Sequence, residues 1–125
     1  MITEKQLVEQ ISQYLQYKKI IYRFDYAADV RLTIGQAVRM KKIQGEKKGF
    51  PDLYVFLKGG KTIFFELKKS KSEVYKKNGS FKQNEHLREQ LKYHKTLKDL
   101  GFDTRFIWSF EMFIDILKLY TGDKK

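Results

Sequence analysis

The chain has no cysteine, which excludes disulfides and thiolate-bound zinc and permits a reducing compartment. It also lacks any apolar run of roughly 18 residues, and its opening Met1-Ile2-Thr3-Glu4-Lys5 has no signal-like apolar core. A soluble protein of the cytoplasm, with no membrane partner, is therefore expected. Repeats, low-complexity tracts and linkers are missing as well. With 125 residues, 42% of them hydrophobic, the sequence reads as one domain, 1–125, with enough apolar material for one core. Negative charge is in short supply: 15 acidic residues face 26 Lys and Arg, a net charge of +11.

The basic residues recur along the whole chain, at Arg39/Lys41/Lys42, Lys47/Lys48, Lys68/Lys69/Lys71, Lys76/Lys77/Lys82 and Lys92/Lys95/Lys98. Such a balance favours a polyanion, through phosphate contacts and counterion release. It carries no sequence specificity, because phosphate contacts position while base contacts specify. A merely soluble basic surface is the plainer account of the charge alone.

Helical and strand-like segments alternate. Thr3-x-x-Gln6 is a capping-box pattern that opens a helix to about Lys18, with an apolar stripe of Leu7, Val8, Ile11 and Leu15. Ile20–Phe24 reads as a strand. Thr33-x-x-Gln36 opens a short basic helix to about Ile43, and Gly45–Gly49 forms a loop. Leu53–Leu57 and Thr62–Leu67 form a hairpin around Gly59-Gly60. The charged stretch Lys68–Ser80 is expected to be a mobile loop. Ser80-x-x-Gln83 then opens a long helix ending near Leu100, with Gly101 left-handed after it. Phe102–Trp108 is a further strand, and Ser109 caps a last helix to about Tyr120. This order predicts an α/β domain with a small central sheet flanked by helices.

Within that frame Asp52 heads one hydrophobic strand, and Glu66 and Lys68 lie two apart on the next. Alternate residues of a strand share a face, so Glu66 and Lys68 project side by side. Two acids converging on one point make a hard-oxygen site suited to Mg²⁺ or Mn²⁺. An ammonium beside them can orient an attacking water, which is the equipment of a metal-dependent phosphodiesterase. For an isolated Asp…Glu-x-Lys, an amphipathic hairpin with a solvated edge is the simpler account. The chemistry also constrains the turn. A two-residue Gly59-Gly60 loop would aim Asp52 away from Glu66. A three-residue loop, Lys58-Gly59-Gly60, pairs Leu57 with Lys61 and places Asp52 opposite Glu66, as a bulge near Asp52 would.

Helix phase adds Glu4 and Gln90. Seven residues return a helix to within about 20°, so Glu4 shares the stripe of Ile11 and heads toward the core, while Glu9 falls on the wet face. A carboxylate aimed at a core needs a partner or a metal, although an acid in a first helical turn is also favoured by the helix dipole. Gln90 sits mid-stripe among Leu87, Leu91, Tyr93, His94, Leu97 and Leu100 and should have a specific partner. Gln83 and His86 lie toward the same side, and Gln83 is taken up as a capping partner. His86 and His94 are eight apart rather than the four of a metal-binding pair, so each reads as a helix histidine with its hydrogen bonds met.

These residues carry a resemblance. Pro51-Asp52…Glu66-Leu67-Lys68 resembles the PD-(D/E)xK nuclease signature. The finer pattern, Glu4, then Gly49-Phe50-Pro51-Asp52-Leu53, Glu66-Leu67-Lys68, and Gln90 followed by Gly101-Phe102, is similar to the virus-type replication-repair nuclease family (VRR-NUC), in particular its small standalone phage and bacterial members. The likeness covers about residues 4–108. The chain departs from it at Leu87-Arg88-Glu89-Gln90, where the family usually shows Ser-x-x-Gln. The resemblance implies a restriction-endonuclease-like core with a mixed sheet of about four strands, and a metal held by Asp52, Glu66 and the Leu67 backbone carbonyl. It further implies that Lys68 orients the water and that Glu4, through a water, and Gln90 complete the shell. It also implies Mg²⁺ or Mn²⁺, activity on structured DNA in the manner of a Holliday-junction resolvase, a homodimer, and the cytoplasm of a bacterial or phage-infected cell.

The last helix bears on the dimer. In Phe110–Tyr120 the charges Glu111, Asp115 and Lys118 share one face and apolar residues cover most of the rest. Such a helix is buried on two sides, in its own fold or partly against another subunit. The expected function is thus a metal-dependent DNA endonuclease. A catalytically silent DNA-binding module and a sequence-specific restriction endonuclease on the same core are the alternatives.

Overall fold

The computed structural model of the chain describes residues 2–25, 33–45 and 49–122. Local signals account for most helix starts. Thr3 caps α1 (Glu4–Tyr17) by a full capping box: Thr3 Oγ1 accepts from the Gln6 N–H at 3.1 Å, and Gln6 Oε1 accepts from the Thr3 N–H at 2.8 Å. Thr33 and Gln36 repeat the device at α2 (Ile34–Gln44). Ser109 caps α4 (Phe110–Thr121) by accepting from the Met112 N–H.

The expected Ser80–Gln83 box does not form. Helix α3 (Glu85–Asp99) instead starts after Asn84, whose Oδ1 accepts from the Leu87 N–H at 2.8 Å. Ser80 belongs to a turn, its hydroxyl donating to Asn78 Oδ1 at 2.7 Å. The competing force is tertiary. Tyr75 and Phe81 stack at 5.1 Å and bridge, the Lys82 N–H donates to the Val74 carbonyl, and Val74 is fully buried. Residues 74–82 are thereby held as a small hairpin, following a single 3₁₀ turn at Lys71–Glu73. The stretch Lys68–Ser80, expected as a mobile loop, thus contains this 3₁₀ turn and most of the hairpin.

Four strands, β1 (Ile21–Phe24), β2 (Leu53–Leu57), β3 (Lys61–Leu67) and β4 (Asp103–Ile107), form one mixed sheet in the order β1-β2-β3-β4. The first two pairings are antiparallel and β3–β4 is parallel, with α3 in the crossover between them. The chain is therefore α/β, a four-strand mixed sheet flanked by helices.

The two faces of the sheet differ. Leu53, Val55, Ile63, Phe65, Leu67 and Ile107 point to one side and meet Leu7, Ile11 and Leu15 of α1 and Phe113, Ile116 and Leu117 of α4. Each such fully buried side chain contributes roughly 1.5–3 kcal/mol. The alternate residues point to the other side, toward α3, where Phe106 stacks on His94 and Phe64 joins a ring cluster with Phe50, Tyr54 and Phe102.

Most of α4's apolar surface is absorbed by this fold: Phe110, Met112, Ile114 and Tyr120 also pack on the core, while Leu119 stays exposed. By contrast, no residue of α2 is buried, and its Ile34, Val38 and Ile43 face outward beside Arg39, Lys41 and Lys42. Among the described residues no helix is long and apolar enough to cross a membrane.

Candidate active-site cleft

The turn between β2 and β3 sets the site. Lys58–Gly60 form a three-residue 3₁₀ turn with Gly59 at φ 78° and Gly60 at φ 72°, a conformation that L side chains resist. Leu57 then pairs with Lys61, and the ladder runs to Leu53 opposite Phe65. One step further, Asp52 stands opposite Glu66 on the α3 side. Asp52 Oδ2 accepts from the Leu67 N–H at 2.9 Å, which fixes the carboxylate across the strand end. The Asp52 carbonyl accepts from the Asp25 N–H at 2.8 Å, so the end of β1 closes on the same corner.

Gly49 brings α3 to this corner. Its φ is +83°, and a Cβ there would lie 2.6 Å from the Glu89 carbonyl carbon and 2.7 Å from the Gln90 nitrogen. Only glycine allows so close an approach to the helix backbone. Phe50 follows, packed edge-on against Tyr54, Phe64 and Tyr93. The segment 49–52 thus clamps the start of α3 over the ends of β2 and β3.

The result is a cleft of about 930 Å³ whose lining includes Glu4, Asp52, Glu66, Leu67, Lys68 and Gln90, all six residues singled out in the sequence. Gln90 is buried and has the specific partners its position demanded. Its Oε1 accepts from Lys68 Nζ at 2.7 Å, and its Nε2 lies 3.2 Å from His86 Nε2. The Lys68 backbone N–H donates to the Ile107 carbonyl at 2.9 Å, which extends the sheet and aims the side chain into the cleft.

Glu4 departs from expectation. It is exposed at the rim of the cleft rather than directed into the core, because it lies one turn before Leu7, where the apolar contacts of α1 begin. Its carboxyl is raised by partial burial and by the charges of Asp52 and Glu73, against Lys68 and Lys69. Glu9 is exposed and does not line the cleft.

Asp52 and Glu66 are a coupled pair. Burial, the hydrogen bond to Glu66 and the Glu66 charge push the Asp52 carboxyl up to about 8, with the Leu67 N–H and Lys68 opposing. Glu66 is also raised, by burial first, against its hydrogen bond to Asp52 and the charge of Lys68. The half-buried Asp52 carboxyl and the buried Glu66 carboxyl, in contact, cannot both ionise cheaply, so at neutral pH they hold a proton between them. Glu66 Oε1 is fully buried and has no hydrogen-bond partner.

A divalent cation fits this arrangement: it would replace the shared proton and satisfy the orphaned oxygen. Among the described residues no group of three or more His, Cys, Asp or Glu side chains could hold a metal. The residues on offer to such an ion are the Asp52 and Glu66 carboxylates and the Leu67 backbone, and solvent would have to complete the shell. That is the sparse style of Mg²⁺, which keeps waters and uses one or two carboxylates plus substrate phosphate.

Sequence reasoning set His94 aside as an ordinary helix histidine. It is buried, stacked on Phe106 at 4.4 Å, and its Nε2 stands 3.9 Å from Glu66 Oε1. Neither ring nitrogen has a hydrogen-bond partner, contrary to the expected satisfied histidine. Burial lowers its pKa to about 4, so the ring is neutral. The available signal was the spacing His86, Gln90, His94, three residues on one helix face at four-residue intervals. Asp25, Glu73 and Lys69 also line the cleft, the Glu73 carboxylate accepting from the Lys69 N–H. They reach it through loop paths that no periodicity encodes.

No family model matches this chain, and no curated protein or solved structure is detectably similar to it.

Proposed function

We propose that the chain is a metal-dependent DNA endonuclease, with Asp52 and Glu66 as its acidic pair. The observation that carries this reading is the contact between the half-buried Asp52 carboxyl and the buried Glu66 carboxyl, the latter with an orphaned oxygen, beside a lysine anchored to a buried glutamine. Asp52, Glu66 and the Leu67 carbonyl would hold Mg²⁺ or Mn²⁺. When bound, such an ion polarises a phosphoryl oxygen and lowers the pKa of a water.

The chain's own groups do the rest. Gln90 takes up one of the three donor directions of Lys68 and so restricts the ammonium, leaving the others for a water or a phosphate oxygen. Glu4 places a further carboxylate at the rim, where it can accept a hydrogen bond from water. Basic residues outside the cleft neutralise the flanking phosphates, which lets an acidic site approach a polyanion. The resemblance to the VRR-NUC family supports the same assignment. It extends the proposal to branched DNA cut in the manner of a junction resolvase and to a homodimer.

The experiment is a panel of labelled linear, flapped and four-way DNAs incubated with Mn²⁺ or with EDTA. Cleavage of the four-way junction well ahead of linear duplex, abolished by EDTA while binding persists, supports the proposal. Binding without cleavage under any metal leaves the silent module in its place. Cutting of linear duplex at one sequence favours the restriction-type alternative.

A further inference from the structure

A second cavity, of about 560 Å³, lies between the 74–82 hairpin, the later turns of α3 and the outer edge of β4. Its walls include Tyr75, Phe81, Phe106 and Trp108, and Lys95 and Lys98 stand among its lining residues. We propose that this groove holds an unpaired nucleotide of the substrate, with the base against the aromatic walls and a phosphate near the lysines. The proposal rests on the nucleic-acid reading above and narrows it: the preferred substrate carries an unstacked base next to the phosphate in the cleft.

Three observations carry the groove. First, its chemistry is that of a single-strand site, where stacking surfaces are combined with cations that follow the backbone. Phe81 uses one ring face on Tyr75, and 41% of the residue remains exposed. Lys98 is exposed, and the Lys95–Asp99 pair at 3.1 Å is solvent-facing, so it is weak and easily exchanged for phosphate.

Second, polar capacity is unspent behind the walls. Both ring nitrogens of His94 and the Thr104 hydroxyl are buried without partners, and both residues line the groove. These atoms are closed off from solvent, so a base in the groove meets them only where a wall side chain gives way.

Third, groove and cleft are neighbours. The His94 ring lines the groove and stands 3.9 Å from Glu66, which lines the cleft. The segment that supplies Lys69 and Glu73 to the cleft continues into Tyr75 and Phe81 of the groove. One strand can therefore lie across both.

Trp108 is the chain's single tryptophan, so tryptophan emission comes from a residue of the groove wall. The full chain is titrated in EDTA with a short oligothymidylate and with a blunt, hairpin-closed duplex, and binding is followed separately by anisotropy of labelled DNA. The oligothymidylate should quench Trp108 in step with binding, while the duplex binds with little quenching. Phe81→Ser should weaken oligothymidylate binding roughly ten-fold and leave duplex binding within about two-fold. Lys98→Ala, at an exposed site where folding is not at issue, should weaken the oligothymidylate more than the duplex. Binding of the oligothymidylate with Trp108 unmoved overturns the groove. So does an equal loss of both DNAs in the two variants. Either result leaves metal-dependent cleavage untouched, whereas absence of binding to any DNA removes both proposals.

Discussion

The two faces of one strand, β3, show how this chain divides its tasks. Ile63, Phe65 and Leu67 point toward α1 and α4 into a core with no polar group among its buried members. Their neighbours Phe64 and Glu66, and Lys68 just beyond the strand, point toward α3, where Glu66, Gln90, His94 and Thr104 are buried polar residues. On the first face every buried atom adds stability. On the second, coupled carboxyls and unpartnered nitrogens cost stability. A two-residue period lets one strand do both without compromising either face.

The sharpest break of this comparison is on the polar face. Asp52→Asn and Glu66→Gln should each abolish cleavage and the calorimetric heat of Mn²⁺ binding while leaving the melting temperature unchanged or higher, because a strained carboxyl pair is relieved. Normal cleavage by Glu66→Gln would remove the site.

The counterpart on the apolar face is Phe113→Ala. It should cost about 3–5 kcal/mol in urea unfolding, because Phe113 is fully buried against Phe65 at 5.0 Å. Below the unfolding transition its cleavage per folded molecule should equal the parent's. A small stability loss with lost cleavage would mean that the faces are not independent.

Gln90→Leu keeps the volume but deprives Lys68 of its acceptor. Cleavage should fall roughly 10- to 100-fold while Mn²⁺ binding survives, read from kcat and calorimetry in parallel. An unchanged kcat would assign Gln90 to packing alone.

A smaller effect comes from pH. Burial and the neighbouring Glu66 push the folded Asp52 carboxyl up to about 8, far above its ordinary carboxylate range, so between the two the folded state binds more protons than the unfolded state. The stability from this group is therefore full at acid pH and is lost as pH rises toward 8, by at most about 1.4 kcal/mol per unit. Urea unfolding in EDTA at pH 5 and pH 8 should reveal this slope, and Asp52→Asn should flatten it. A parent slope no steeper than the variant's would mean that the pair is not coupled.

The smallest contrast is within α1. Glu9→Gln should cleave within about two-fold of the parent, since surface substitutions away from a site have little effect. Glu4→Gln, at the cleft rim, should be measurably slower. The reverse order would misplace α1.

Much of this architecture was legible because it depends on neighbours in sequence. Thr3 with Gln6, Thr33 with Gln36, and Ser109 find their hydrogen-bond partners within one turn, so the helix starts follow from residue types alone. Gly59-Gly60 marks the hairpin in the sequence but leaves a two- or three-residue loop open, and it is the three-residue turn Lys58-Gly59-Gly60 that sets the register in which Asp52 meets Glu66. The demand of Gln90 for a partner follows from helix phase.

What only tertiary structure decided lies where distant segments compete or close on one another. Ser80 could have capped a helix, but stacking of Tyr75 on Phe81 and burial of Val74 claim the segment first. Phase places Glu4 in line with Ile11, yet where the core ends along that line depends on what packs there, so the residue meets the cleft. The partner of Gln90 is Lys68, twenty-two positions away, and Gly49 is required because another helix's backbone arrives within reach of its Cα. His94 stands behind Glu66 because the α3 crossover joins strands that are neighbours in the sheet. Short-range hydrogen bonds are written in adjacent residues. The closure of a cleft depends on packing forces summed over the whole chain, and no local pattern carries that sum.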